Sequence, residues 1–438
     1  ADGAGFAYNP GQPVSGSTAP LWTLLLAAGA LIAGASPGMA KILGVTAALV
    51  AALLVRRAAV GFGAPAPVAL VAAVALLWTG PVAWGALSGM EVTLAALLVA
   101  SAVLAVARDA TWLAASLGAL AALARPEALL LVPLLALARP LGARRGLIFG
   151  VVTVAALAPF VAFSYATVGR PFPATALAKV EGGLLGWLGG ITEPLAVTWL
   201  ERPADFGGEF LQWLFFSNVL LPLAVPAIAL AWRRGDRALG VIGLVLVAHP
   251  LGMALLAPYR GPAFQEGRYS THLLPVAAVL LAVTLGKGRR PPPVALAVPL
   301  AAGLVALGPA AERYAWGVQN INAMQVHLGR WLDEHTRRDA TLAVNDIGAI
   351  AFFSRRPVID LMGLVTPEIL PYRREGEDGV ARFVFERCPD YVVVFPAWFP
   401  RLAARGDLML PVYAVGLARN EVAGGPEMVV YRLTRCAV

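Results

Sequence analysis

Carboxylates and cations meet at the ends of apolar segments in four places along this chain. Glu91 lies in WGALSGMEVTLAALL, and Arg125 and Glu127 flank Pro126. Arg170 and Lys179 lie in YATVGRPFPATALAKVEGG, and Arg260, Glu266, Arg268, Tyr269 and His272 lie in APYRGPAFQEGRYSTHLLP. An ionised carboxylate at the end of an apolar helix is costly unless it faces water, a cation or a partner. Arginine forks and lysine point charges both take anionic ligands. Arg268, just ahead of a helical run, opposes the helix dipole and calls for an anion nearby. Each group also has a structural reading. Glu91 can cap its helix, Arg125 and Glu127 can pair to close their turn, and Arg170 and Lys179 can be solvated surface charges. In the tail, Asp346 follows a strand and precedes a helix, the position of an N-cap, and Asp360 in VIDLMGL is equally ambiguous. Taken together, basic residues and carboxylates at one set of helix ends suit a lipid-linked phosphate whose polyprenyl tail lies in the bilayer. The chemistry that follows is transfer of a sugar from that carrier.

The elements that must position these groups are membrane helices. Hydrophobic residues make up 59% of the 438 and charged ones 14%, with a mean hydropathy of +0.73, outside the range of soluble domains. Basic turns at Arg56-Arg57, Arg139 to Arg145, Arg233 to Arg237 and Lys287 to Arg290 mark the cytoplasmic side. An even number of crossings must separate each pair of them, so Thr111 to Ala138 is expected to be two short helices meeting at Arg125-Pro126-Glu127. Ten spans follow, near residues 38–55, 66–82, 91–106, 111–123, 128–138, 146–164, 209–232, 238–257, 272–286 and 293–308. Both chain ends then lie outside, in a multi-pass cytoplasmic (inner) membrane protein. Before Pro309 there are 19 basic and 11 acidic residues, and after it 15 of each, so the excess of +8 belongs to the membrane part. The high isoelectric point is a topology signal and does not imply nucleic acid.

Three domains are expected: 1–37, an extracytoplasmic loop with an interfacial helix from Leu21 to Gly34; 38–309, the multi-span domain; and 310–438, a soluble extracytoplasmic α/β domain. In the last, a helix over Tyr314 to Thr336 precedes strand-like TLAVND, PVIDL, YVVVF and MVVYRL, alternating with helix-like IGAIAFFS and VARFVFER. Cys388 and Cys436 both fall here and each flanks a strand, with pairing left open. No CxxC, HExxH, P-loop or GxGxxG pattern occurs, and the four histidines are scattered.

On these stretches the chain resembles the bacterial GT-C membrane glycosyltransferases that use polyprenyl-phosphate sugars, most closely the decaprenyl-phosphate arabinofuranosyltransferase-like branch. The matching segments are Gly3 to Ala27, Leu87 to Leu98, Ala124 to Leu131, Gly169 to Val180, Gly267 to Pro275 and Val344 to Ile369. The resemblance implies direct displacement at the anomeric carbon, with inversion and with polyprenyl phosphate leaving, toward a glycan, lipid or protein acceptor. It assigns Lys179 and Arg268 to the donor phosphate with Arg125 as an alternative, and Thr18, Tyr269, His272 and Asp346 to substrate. Glu91 and Glu127 would position sugar hydroxyls or a divalent ion, Mg²⁺ or Mn²⁺. The family's acidic base loop and first helix have no counterpart here, so an N-terminally truncated chain is expected, with the base and one helix upstream and little activity by itself. In addition, Ser15 stands where relatives often carry an acid. Two other classes compete: a transporter or flippase of a lipid-linked sugar, against which stands the lack of an internal repeat, and a non-catalytic scaffold.

Overall fold

The computed structural model describes residues 5–140, 142–288 and 292–436. The chain falls into two compact units. One holds residues 18–161 and 179–311; the other holds residues 2–17, 162–178 and 312–438. Arg289 and Arg290, two of the basic turn residues, lie outside the described residues.

The first unit is helical. Its helices are α1 (Pro20–Ala33), α2 (Pro37–Gly61), α3 (Ala66–Leu77), α4 (Gly80–Leu87), α5 (Val92–Ala107), α6 (Thr111–Ala124), α7 (Leu131–Leu137) and the greater part of α8 (Ala143–Val168). They continue as α9 (Arg202–Ser217), α10 (Ala224–Arg233), α11 (Arg237–Gly243), α12 (Val245–Leu256), α13 (Leu274–Gly286) and the greater part of α14 (Pro293–Ile321). Ser36 caps α2 through Met39 N at 3.2 Å, with Pro37 in the first turn. Small residues then let α2 approach its neighbours closely, and at Gly44 a Cβ would run into the Ala86 backbone. The Gly44 carbonyl accepts from Thr93 Oγ1 of α5 at 2.9 Å. Helices α5 and α13 are buried on nearly every side. They form the axis of this core.

Five helical stretches are long and apolar enough to cross a membrane: Pro37–Gly61, Ala143–Val168, Arg237–Leu256, Phe264–Gly286 and Pro293–His335. A sixth is the pair α3 and α4 taken together, bent by 57°. The chain is a multi-pass membrane protein, but ten full spans are not what it shows. Val92–Ala107, Thr111–Ala124, Pro126–Leu137 and Leu221–Arg233 are apolar but only 10–17 residues long, short of the roughly 20 that a span needs. The span expected at 209–232 is broken. Asn218 leaves helical geometry after α9, its Oδ1 accepts from Leu220 N at 3.2 Å and its Nδ2 donates to Pro299 O at 2.9 Å. The turn expected at Arg125-Pro126-Glu127 is present. Pro126 disfavours helical geometry at Arg125, which is extended (φ −150°, ψ 123°).

Contacts fix the two ends of this helix assembly. At one end the Lys287 ammonium pairs with Asp236, its chain lies 3.5 Å from where a Gly63 Cβ would stand, and Arg139 meets Asp109. At the other, α5 and α13 begin.

The second unit is an α/β fold. Its sheet has the order β2-β1-β3-β5-β4, with β1 (Leu342–Val344), β2 (Val358–Asp360) and β3 (Tyr391–Val394) parallel, and β4 (Met409–Gly416) and β5 (Glu427–Leu433) antiparallel. β4 has no counterpart in the sequence reading, because Leu410, Pro411 and Val412 are exposed and the strand lacks a buried face there. Helices α15 (His327–His335) and α16 (Ile347–Ser354) cover one face, and α17 (Glu377–Arg387) covers the other. Helix α14 runs on through a π-turn at 322–326 into α15. Cys388 and Cys436 are joined in a disulfide, with Cα atoms 5.6 Å apart. Asn9 clamps the β2 backbone, donating to Val358 O at 2.8 Å and accepting from Val358 N at 2.9 Å.

Candidate functional site

Where α5 and α13 begin, the ionisable groups gather around Arg125. Its guanidinium donates to the Glu91 carboxylate and, through Nε and Nη2, to both oxygens of Glu127 at 3.2 Å. Only 4% of the Arg125 side chain and 11% of that of Glu91 are exposed. Glu91 occupies the N-cap position of α5 but makes no capping bond. Arg125 takes that carboxylate instead, the better partner for a buried charge.

Arg268 reaches the same Glu91 oxygen at 3.9 Å and donates to Gln265 Oε1 at 2.8 Å, while its buried Nε has no partner. It is aimed by a turn in which Gln265, Glu266 and Gly267 are all left-handed (φ 48°, 57° and 74°). At Gly267 a side chain is doubly excluded, because a Cβ would also strike the Trp213 ring. Arg125 and Arg268 both lie over the Tyr269 ring, 4.7 Å and 5.3 Å from its centroid. The ring stacks on Phe264, and its buried hydroxyl is without a partner.

Lys179 lies 5.3 Å over the Tyr259 ring, with no carboxylate at ion-pair distance among the described residues. Burial, and then the positive fields of Arg268 and Arg125, push it down to about 8. Behind the cluster His272 is fully buried with both ring nitrogens unpartnered, 5.2 Å from the ring of His249. His249 Nε2 meets Ser270 Oγ at 3.2 Å, and Ser270 Oγ donates to Pro262 O at 3.0 Å. His249 escaped the sequence reading, although a histidine inside the apolar run of α12 was the signal available.

The structure thus brings together Glu91, Arg125, Glu127, Arg268 and Tyr269, with Lys179 within the electrostatic reach of both guanidiniums and His272 behind. It does not add Thr18, which is half-buried just before α1 and makes no hydrogen bond to the cluster. Arg170 and Arg260 are exposed. Asp346 belongs to the other unit. It takes the N-cap position of α16 without a capping bond, and it accepts from Gln325 Nε2 at 2.8 Å. Asp360 anchors a turn, accepting from the amides of Met362, Leu364 and Val365. Glu193, in the loop after Lys179, is held down at about 2 by hydrogen bonds from Arg202 and ties that loop together.

Three cations face two carboxylates here, a surplus of one positive charge. The N-terminal ends of two buried helices add partial positive charge of their own. Arg125 pairs with both carboxylates. Among the described residues no three His, Cys, Asp or Glu side chains gather as metal ligands.

Fold and site together define a multi-pass helical membrane protein that ends in an α/β unit and holds a buried, net cationic cluster at one set of helix ends. The chain shares the fold of ArnT from Cupriavidus metallidurans. It is similar to the crystal structure of that protein bound to undecaprenyl phosphate at 13% identity and a TM-score of 0.59, covering 98% of this chain and 90% of that one. For the apo crystal structure the values are 13%, 0.57, 96% and 93%. A much looser likeness, TM-score 0.35 at 17% identity, links 90% of this chain to 34% of the mycobacterial arabinofuranosyltransferase AftD. Residues 319–431 match a domain of unknown function, DUF8728. No curated protein matches the chain.

Proposed function

We propose that the chain is an integral membrane glycosyltransferase that moves a sugar from a polyprenyl-phosphate donor to an extracytoplasmic glycan, lipid or protein acceptor. The observation that carries this reading is the surplus of positive charge on Arg125, Arg268 and Lys179 at the ends of apolar helices. It is supported by a fold shared with a protein crystallised with undecaprenyl phosphate. A phosphate on a polyprenyl chain matches both halves of that environment, an anionic head and an apolar tail.

In the reaction an acceptor hydroxyl oxygen attacks the anomeric carbon as the bond from that carbon to the phosphate oxygen breaks. A general base takes the hydroxyl proton, and the electron pair leaves with the polyprenyl phosphate, inverting the anomeric centre. Arg268 and Lys179 stabilise the charge that builds on the leaving phosphate, in a site from which water is largely excluded. Arg125 acts alongside them, held in place by Glu91 and Glu127, and these two carboxylates position sugar hydroxyls. Tyr269 and His272 contribute to binding the substrate beside them. A requirement for Mg²⁺ or Mn²⁺ is checked by chelation in the same assay. The cluster faces outward in the inner membrane, as does the α/β unit.

The test is incubation of the protein in lipid bilayers with a panel of polyprenyl-phosphate sugars and a mixed glycan acceptor. Free polyprenyl phosphate and glycosylated product should appear in equal amounts. Movement of the intact donor across the bilayer with no product would favour the transporter reading instead.

A further inference from the structure

The C-terminal unit holds a cleft of about 270 Å³ that the chemistry above does not use. Met362, Arg373, Glu377, Val380, Trp398 and Phe399 line it. Met362 stands just past β2, on the turn that Asp360 anchors, and Arg373 ends the short helix Leu370–Arg374 that comes next. Glu377 and Val380 belong to the start of α17, and Trp398 and Phe399 follow β3. In α/β sheets ligands lie outside the carboxyl ends of the parallel strands. The segments that leave β2 and β3 by those ends build this cleft.

Its walls are fixed without a ligand. The Trp398 indole donates to Gly424 O at 2.7 Å, and its ring packs against Phe395 with the centroids 5.5 Å apart. Gly424 makes room for it, since a Cβ there would stand 2.7 Å from Trp398 Cζ2. Yet Trp398 is 41% exposed. An indole held by its N–H and by a second ring, but left open to solvent, is a rigid aromatic surface offered to something else. Arg373 Nη1 donates to Met362 O at 2.7 Å, which orients the guanidinium. The Glu377 carboxylate accepts from Leu402 N at 2.8 Å and from Arg401 Nε at 3.3 Å. A carboxylate has about four acceptor positions, so these two bonds do not exhaust it.

Two charges of opposite sign among four apolar side chains restrict what the cleft takes. A wholly apolar ligand would strip water from the guanidinium and the carboxylate and return no hydrogen bond. An anion would meet Glu377, and a cation would meet Arg373. A sugar ring avoids all three penalties, because its C–H face packs on the indole while its hydroxyls donate to a carboxylate and accept from a guanidinium. The volume sets the size, lying just below the roughly 300–1,000 Å³ of pockets for drug-sized ligands. We propose that this cleft binds one neutral saccharide unit of a glycan, with Trp398 as the stacking platform and Arg373 and Glu377 as partners of its hydroxyls. That the glycan is the acceptor in transfer rests on the glycosyltransferase reading. The cleft itself does not.

The test uses the full chain in lipid nanodiscs and saturation-transfer NMR. A methyl pentofuranoside and a methyl hexopyranoside are the saccharide probes, and N-acetylphenylalanine amide stands for the side chain of a protein partner. Sugar transfer from polyprenyl-phosphate donors is assayed on the same samples. At least one glycoside should bind the wild type. Trp398→Ala should weaken it about tenfold or more, the cost of truncating an aromatic anchor, and Trp398→Phe should recover most of that loss. Glu377→Gln keeps an oxygen for Leu402 N but drops the charge, and it should weaken binding about threefold, the margin between a charged and a neutral hydrogen-bond partner. Thermal unfolding shows which variants are folded, and Glu377→Gln carries the test if the alanine variant is not. The proposal is overturned if no glycoside binds the wild type, if the folded variants bind at wild-type strength, or if the aromatic probe binds in place of the glycosides. Glycoside binding with these losses, in a protein that releases no polyprenyl phosphate from any donor, would uphold the cleft and sink the glycosyltransferase reading.

Discussion

Around Arg125 three cations and two carboxylates largely satisfy one another, whereas the single carboxylate of Asp346 is met by one neutral amide, that of Gln325. Both clusters are buried, and they differ in what they leave unmet. In the helical unit the remainder carries positive charge, in the Arg268 Nε–H and a Lys179 ammonium with no carboxylate partner, beside the neutral Tyr269 hydroxyl and His272 ring nitrogens. In the α/β unit it is one amide hydrogen and one carbonyl oxygen. The first remainder fits phosphate and the second carries no charge, so burial of polar groups by itself does not say what a site takes. The sign and type of the unmet capacity does.

The largest expected effect comes from breaking the self-pairing. Arg125→Met strands the buried Glu91 and half-buried Glu127 carboxylates and should lower stability by about 3–5 kcal/mol, read as thermal unfolding of the detergent-solubilised protein. Adding Glu91→Gln and Glu127→Gln to the same variant should restore most of the loss. If the triple variant is no more stable than the single one, the cluster is not held together as described. Arg268→Ala should behave differently. Its ion contact to Glu91 is long, so the unfolding midpoint should move little. Binding of undecaprenyl phosphate should weaken roughly thirtyfold or more, from the about 2–5 kcal/mol that truncating one partner of a buried charge contact costs.

Lys179 gives a pH test. With its folded pKa near 8, below the ordinary lysine value of 10.5, the ammonium is present below pH 8 and is lost above it. Affinity for the phosphate should therefore fall as pH rises through about 8. Stability without ligand should run the other way. The folded protein holds this proton less tightly than the unfolded chain, so stability rises with pH between about 8 and 10.5. Lys179→Arg should flatten the binding profile over that window. A profile unchanged by the substitution would remove Lys179 from the phosphate site. The smallest effect is expected from Tyr269→Phe. Its hydroxyl has no partner in the unliganded protein, so stability should change by less than about 0.5 kcal/mol, while ligand binding weakens a fewfold.

Much of this was legible in the sequence because the cues were local. Pro126 set the geometry of the Arg125 turn, and a charge at the end of an apolar run is costly enough to mark Glu91 and Arg268 as residues with partners. The two clear strand-and-helix alternations at TLAVND–IGAIAFFS and VARFVFER–YVVVF also emerged as expected. Partner choice was not legible. Glu91 and Asp346 both stand at N-cap positions, and in each case a side chain distant in sequence, Arg125 or Gln325, takes the carboxylate in place of the helix amides. The break at Asn218 was hidden inside an apolar stretch because its cause, the Pro299 carbonyl, comes 81 residues later. Span counting failed for a related reason. Helices sheltered by other helices, such as α5, need not reach across a bilayer, and hydropathy alone cannot tell a sheltered helix from a spanning one.

The central claim is that the helical unit holds a lipid-linked phosphate, and competition between undecaprenyl phosphate and undecaprenol for the protein in nanodiscs tests it most directly. The phosphate form should win by at least about tenfold at pH 7, an advantage worth about 1.4 kcal/mol, and Arg268→Ala should abolish the preference. Equal binding of the two lipids by the wild type, or a preference that survives Arg268→Ala, would contradict it.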